Sequence, residues 1–359
     1  MIDRIELENF KCFKHTKLDL KTLNLFSGIN GMGKSTVIQS LLLLKQSFEQ
    51  DYLPNRISLN GNYVNIGTGQ DLLYENAEND DIRISIFDKS KCYSANMIYD
   101  GLSDVLELNE YNDEIKGLLQ VPFEYLNAER NSPQSIYPKS SYYVDSKLTL
   151  GIHGQYTVHY LAKHQDDKLL WDSCNSPELT LKGAVQYWLN EISPNIKFDA
   201  HEIAKTDLTQ LGYYFNTERG PSNTYRPTNV GFGISYILPV IVALVKAEPE
   251  SIVIIENPEA HLHPKGQRKM GELLSKCAAN NIQVFVETHS DHVMNGVRIA
   301  VKKEIISPTN VNFMFFNKEE IDGTLVHNIE TPKINSKGKL DYWPDGFFDE
   351  WDKALDEII

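Results

Sequence analysis

Residues 28–35 read "GINGMGKS" and lie between "LNLFS" at 23–27 and "TVIQSLLLLKQSFEQ" at 36–50. The first flank is an apolar run that predicts a buried strand. The second has neither Gly nor Pro and carries Val37, Leu41, Leu44 and Phe48 at helical spacing, so it predicts an amphipathic helix. The eight residues between them fit G-x-x-x-x-G-K-[ST] at a strand-to-helix junction, the context in which that spacing forms a phosphate-cradling loop. The glycines let N–H groups curl around phosphate oxygens, and the helix N-terminus adds its dipole. Lys34 brings a charge to the β- and γ-phosphates, and Ser35 brings a hydroxyl to Mg²⁺. The expected nucleotide contacts are Gly28, Asn30, Gly31, Gly33, Lys34, Ser35 and Thr36.

Three further segments suit such a loop. In "SIVIIENPEAHLHP" at 251–264 an apolar strand ends in Glu256. A phosphate loop needs an acid at the end of a neighbouring buried strand to hold the Mg²⁺ shell. Glu256 and Ser35 are therefore the expected metal-side residues. In "VFVETHSD" at 284–291 a second strand, expected beside the first, delivers His289 to its carboxyl end. An imidazole there is placed to sense a γ-phosphate. In "NVGFGIS" at 229–235, Gly231 and Gly233 precede a long apolar helix, a second phosphate-binding geometry. It suits a nucleotide held by another subunit. His261 and His263 read as local structure at a helix start.

The 359 residues are 41% hydrophobic and contain no run of 18 apolar residues, which predicts a soluble globular protein without a membrane span. The N-terminus lacks the apolar centre of a signal peptide. The four cysteines are scattered without metal-ligand spacing, which predicts reduced thiols in a cytoplasm. A net charge of −14 argues against nucleic-acid binding by the whole surface. The local cluster Lys11, Lys14, Lys17 and Lys21 reads as solvated lysines on a hairpin. From Asp341 the chain has seven acids and one lysine. The same stretch holds Trp343, Phe347, Phe348 and Trp351, so it should dock.

"RIELENF", "HTKLDL" and "LNLFSG" predict three strands within the first 28 residues. "YVNIG", "IRISIF" and "SANMIY" predict antiparallel strands, and "LKGAVQYWLNEI" predicts a helix. From Val230 onward, helix, strand, helix, strand and helix alternate in the texture of a parallel α/β unit, followed by a hairpin turning at "DG". The expected organisation is one domain with two lobes. Residues 1–50 and 225–300 form the nucleotide core, 51–224 an inserted β-rich and helical lobe, and 301–359 a hairpin and an acidic aromatic tail.

Taken together, "IELENFKCFK…LNLFSGINGMGKST", "VGFGISYILPVIVALV", "IIENPEAHLHP" and "VETHSDHVMNGV" resemble ABC-class ATPases of the RecF/SMC/OLD type, found among the AAA family ATPases of bacterial phage-defence operons. The likeness is specific over about 1–50 and 225–300 and loose between them. It implies an α/β P-loop NTPase of ABC/RecF-like architecture. That architecture has a mixed central sheet, an antiparallel β-rich N-terminal lobe, a helical insert and here no coiled-coil arms. It also implies ATP and Mg²⁺ as ligands and a homodimer or higher even-numbered oligomer. Each ATP would then lie between the P-loop of one subunit and the "VGFG" turn of another. Coupling would run to DNA or to a protein effector, a nuclease or toxin encoded nearby. "FEYLNAERNSP" at 123–133 resembles a segment ending in an arginine near the active site, which implies nucleotide contact by Arg130. A surface-loop arginine is the other reading.

The chain departs from that pattern twice. The family commonly places Asp and then Glu at the strand end, the Glu as base for water. Here those positions hold Glu256 and Asn257, and an amide orients water without accepting its proton. Slow hydrolysis is expected. Glu259 can replace the base, pair with His261 or cap the following helix. Second, no strand pattern of the C-terminal Toprim nuclease of OLD proteins follows the last helix, so no nuclease activity is expected. The readings left are an ATP-driven switch gating an effector, a non-hydrolysing ATP-bound scaffold, and a transporter's ATP-binding subunit. The missing LSGGQ-like segment argues against the last.

Overall fold

The computed structural model describes all residues except 90, 112–114, 175–178, 219, 322–323 and 359, with backbone alone at 115–116, 321, 324–325 and 351–352. The chain forms two compact units. One comprises Met1–Val121, Asn312–Lys333 and Tyr342–Ile359, the other Pro122–Val311 and Ile334–Asp341.

The first unit begins with β1 (Arg4–Phe10), β2 (Phe13–Asp19) and β3 (Leu23–Gly28), where the three opening runs place them. Helix α1 (Lys34–Glu49) follows the phosphate loop. Next come β4 (Arg56–Ser58), α2 (Gly69–Leu72), β5 (Asp81–Asp88), β6 (Lys91–Ile98), β7 (Val105–Tyr111) and α3 (Ile115–Leu119). An antiparallel sheet runs in the order β2-β1-β5-β6-β7-β4. Alternation in β1 turns Ile5 and Leu7 inward, opposite Ile86 and Ile84, and all four are fully buried. The expected strand "YVNIG" at 63–67 is instead a closed loop. The Asn60 amide accepts from Gly67 N–H and donates to Gly67 C=O, both at 2.9 Å, and closes the loop beside the backbone bonds of Gly61 N–H to Val64 O and Ile66 N–H to Leu59 O.

The second unit contains β8 (Phe123–Leu126), β9 (Tyr137–Pro138), α4 (Thr157–His164), α5 (Leu181–Ile192), β10 (Ile196–Glu202), β11 (Leu208–Thr217), β12 (Gly220–Pro221), α6 (Phe232–Lys246), β13 (Ile252–Glu256), α7 (Pro264–Ala279), β14 (Gln283–Glu287) and α8 (Asp291–Lys302). Strands β14, β13 and β8 are parallel, with Ile254 opposite both Phe285 and Tyr125. Ile252–Ile255 and Val284–Val286 are buried without alternation, as parallel strands require. Gly271 of α7 and Gly296 of α8 bring those helices into backbone contact. A Cβ on Gly271 would sit 2.2 Å from Val293 O and 2.9 Å from Gly296 Cα.

The chain then returns to the first unit as β15 (Val311–Ile321), paired with β3 and with β16 (Thr324–Glu330), and ends in α9 (Glu350–Ile358). The expected turn at Asp322-Gly323 and the side chain of Trp351 lie outside the described residues. The tail docks through Phe347, 1% exposed, whose ring packs edge-on to Phe315 and against Trp343. Among the described residues the longest helices, α1 and α7, have 16 residues, so there is no coiled-coil arm. None is long and apolar enough to cross a membrane.

Gly271→Val is expected to cost about 1–3 kcal/mol through overpacking of α7 on α8. Gly117→Ala, where an added Cβ meets nothing within 4 Å, should not destabilise. Urea unfolding midpoints of the two variants compare them; equal midpoints would show that α8 moves away freely.

Candidate functional site

In the first unit the phosphate loop is a chain of positive-φ glycines, Gly28 (132°), Gly31 (77°) and Gly33 (98°). Two of them also lack room for a side chain. A Cβ on Gly28 would lie 2.2 Å from Phe316 O, and one on Gly33 would lie 2.7 Å from the Phe13 ring and 2.9 Å from Cys12 Sγ. A Cβ on Gly31 meets nothing, so the loop opens to free space there. Asn30 and Ser35 are exposed, while Thr36 is buried at the helix start with its hydroxyl 3.6 Å from Cys12 Sγ. Lys34 is 3% exposed, and its Nζ donates to the carbonyls of Gly28 and Ile29 at 2.8 and 2.9 Å. A buried ammonium resting on neutral carbonyls at the mouth of a glycine cradle fits a polyphosphate ligand.

Sequence reasoning missed His327 of β16. Its ring packs edge-on to Phe13, and the backbone of Gly31 and Cys12 favours its charged form. Burial and Lys318 outweigh them and hold the imidazole below its ordinary range. No local motif marks it, because β16 reads as an ordinary strand.

The second unit assembles the strand-end residues. Glu256 Oε1 accepts from Tyr125 O–H at 2.9 Å and Oε2 from Ala128 N–H at 3.1 Å. Burial still raises its pKa above the usual carboxylate range. Asn257 stands in left-handed backbone (φ 46°), and its N–H donates to Glu287 O at 2.8 Å. Glu259 accepts from His289 N–H at 2.8 Å, and burial raises its pKa as well. It therefore does not cap α7. That cap is His263, whose side chain accepts from Lys265 N–H at 3.3 Å. His261 packs edge-on to Phe232 and Tyr236. Its carbonyl is 2.4 Å from where a Cβ on Gly233 would stand, so Gly233 is needed for close approach, and Gly231 is the N-cap of α6. The His289 side chain is exposed, and the next residue, Ser290, caps α8 while donating to Gln267 Oε1 at 2.6 Å.

Arg130 is buried, 5% exposed. Nη1 donates to Asn127 O at 3.1 Å and Glu256 O at 2.7 Å, and Nη2 donates to Asn257 O at 2.6 Å. Its carbon lies 4.5 Å from the Tyr236 ring centre, and the Tyr236 hydroxyl donates to Ala128 O. Arg130 thus clamps the turn after β13, a role the sequence did not show. Two acceptors in that turn, Asn257 Oδ1 and Glu259 Oε2, are buried without a donor. Among the described residues no three His, Cys, Asp or Glu side chains could hold a metal by themselves.

The family described as "AAA domain, putative AbiEii toxin, Type IV TA system" matches residues 23–295, from β3 through the start of α8. The chain belongs to this family. Residues 306–358 match a second family, "Protein of unknown function (DUF3696)". The chain is 30% identical over 145 residues to the energy-coupling factor transporter ATP-binding protein EcfA2 of Ureaplasma parvum serovar 3. That match takes in 38% of this chain and 30% of the relative, so the chain spans under a third of its length. An SMC head solved with the C-winged helix domain of ScpA has a similar fold, with TM-score 0.56 and 12% identity over 92% of this chain and 98% of that one. An SMC head with an extended coiled coil, solved with the C-terminal domain of ScpA derived from Pyrococcus furiosus, gives TM-score 0.50 and 12% identity over 99% of each. At that identity the likeness is one of fold. The family is one of AAA ATP-binding domains, and the fold is like that of SMC heads.

Arg130→Met is expected to cost about 3 kcal/mol or more, since it strands three carbonyls at about 1–3 kcal/mol each. Arg130→Lys should recover part of this, because an ammonium lacks the planar fork. Chemical unfolding measures both, and a loss below about 1 kcal/mol for the Met variant would remove the clamp.

Proposed function

We propose that this protein is an ATP-dependent switch that dimerises around ATP, hydrolyses it slowly and controls a partner effector, a nuclease or toxin, in defence against phage. In this reading Lys34 neutralises phosphate oxygens, and the Gly28, Asn30, Gly31, Gly33 and Thr36 backbone binds them. Ser35 and Glu256, the metal-side residues expected from the sequence, would hold Mg²⁺, whose charge would stabilise phosphoryl transfer. The Gly231 and Gly233 turn contacts the ATP of a second copy, and His289 reports on the γ-phosphate.

The observation that carries slow turnover is the pair of buried acceptors without donors, Asn257 Oδ1 and Glu259 Oε2, in the turn after an acid-bearing strand. In this reading the attacking water is held by both acceptors. Asn257 orients it, and Glu259, whose raised pKa makes it a better base than an ordinary carboxylate, takes its proton. Control of a toxin or nuclease draws support from the toxin–antitoxin wording of the family description, and dimerisation from the likeness to SMC heads. A scaffold that binds ATP without turning it over is the second reading, favoured by the amide at Asn257.

Steady-state ATP turnover with oligomer size read in parallel separates the two. Lys34→Ala should lose turnover and ATP-dependent assembly together. Glu259→Gln should lower turnover about 10²-fold or more. Asn257→Glu should raise it, although a longer side chain in left-handed backbone costs about 1 kcal/mol. No wild-type turnover, with ATP still changing oligomer size, leaves the scaffold.

The pH profile adds a second check. A base must be ionised, and the Glu259 pKa is raised, so turnover should fall as pH drops through a value above the ordinary carboxylate range. The residual turnover of Glu259→Gln should be flat across that window. A wild-type profile equally flat there excludes Glu259 as the base.

A further inference from the structure

The second unit has a cavity of about 530 Å³ that shares no residue with the turn after β13. Its wall is built from the first turn of α5, the outer face of β10 and β11, and the segment Thr224–Arg226. Gly212 of β11 makes the wall compact, since a Cβ there would stand 2.4 Å from Thr224 Cγ2. The backbone of Tyr225 is pinned to Tyr213 by two hydrogen bonds of 2.7 and 2.9 Å. Its ring lies edge-on to Phe215 with 40% of its surface exposed.

The charge at the cavity runs against that of the protein. The chain carries −14, yet the lining holds Lys182, Arg226 and His201 against a single acid, Asp199. Asp199 is engaged by Lys182 at 2.8 Å. Arg226 has no ion pair or side-chain hydrogen bond among the described residues, so its guanidinium is the charge left over. A guanidinium is the side chain best suited to phosphate oxygens. An exposed tyrosine ring fixed by its backbone offers a stacking face, and the Gln165 and Gln210 amides offer donor and acceptor pairs for the edge of a heterocycle.

We infer that this cavity binds a small phosphorylated aromatic ligand, a nucleoside monophosphate being the simplest member of the class. The phosphate meets Arg226, and the base lies against Tyr225. The volume falls within the range of about 300–1,000 Å³ usual for small-molecule sites. A single-stranded nucleic acid would call for a groove lined with cations for several phosphates.

The test is calorimetric titration of the full-length Lys34→Ala chain, in which the phosphate loop lacks its cation, with AMP, GMP, CMP and UMP, and separately with a ten-residue oligothymidylate. At least one mononucleotide is expected to bind. Arg226→Ala and Tyr225→Ala, added to that chain, should each weaken binding about tenfold or more, the Arg226 variant without moving the melting temperature. The inference falls if no mononucleotide binds. It also falls if binding is unchanged in both variants, which places the ligand elsewhere, or if only the oligonucleotide binds.

Discussion

Three main-chain carbonyls, of Asn127, Glu256 and Asn257, converge on one buried guanidinium. A strand that ends inside a protein leaves carbonyls without ladder partners, and such groups are costly unless bonded. Arg130 supplies the missing donors at the end of β13. Burial opposes its charge and lowers its pKa, while Tyr236, Glu259 and Glu256 counter that effect. A lysine would bring one point of charge where a planar fork bridges two successive carbonyls. With the turn so held, Asn257 N–H reaches Glu287 O and Glu259 reaches His289 N–H, which ties the ends of β13 and β14 together.

Lys34 shows the opposite arrangement in the other unit. There the cation is the ligand-directed group, and the backbone serves it. Neutral carbonyls at 2.8 and 2.9 Å help to keep a buried ammonium solvated. A carboxylate in their place would compete with phosphate. The positive-φ glycines permit that curl, and the crowding behind Gly28 and Gly33 fixes its position.

What the sequence made legible follows from how local each feature is. The phosphate loop, α1 and the alternation of strand and helix from Val230 onward rest on residues adjacent in the chain, and they form where the spacing places them. The strand-end position of Glu256 was readable for the same reason. The partners of Glu256 were not, because Tyr125 is separated from it by 131 residues and meets it only through the pairing of β8 with β13. Arg130 was visible as a residue but not as a clamp, since its partners are carbonyls that carry no sequence signature. His327 and the Gly271–Gly296 contact were invisible on the same ground. The loop at 63–67 misled because an alternating run cannot reveal that Asn60 closes it with a side chain.

The turn also revises what Asn257 means. From the sequence it is a base replaced by an amide. In the structure it is first a residue at φ 46°, in backbone that asparagine tolerates better than glutamate does. An amide there suits the conformation whatever its effect on chemistry. That conformation carries the chain round so that Glu259, two residues on, meets the N–H of His289 beyond β14. In the proposed mechanism the carboxylate that takes the proton is therefore displaced along the turn. Its buried position raises its proton affinity, which in that mechanism makes it a stronger base than an exposed carboxylate.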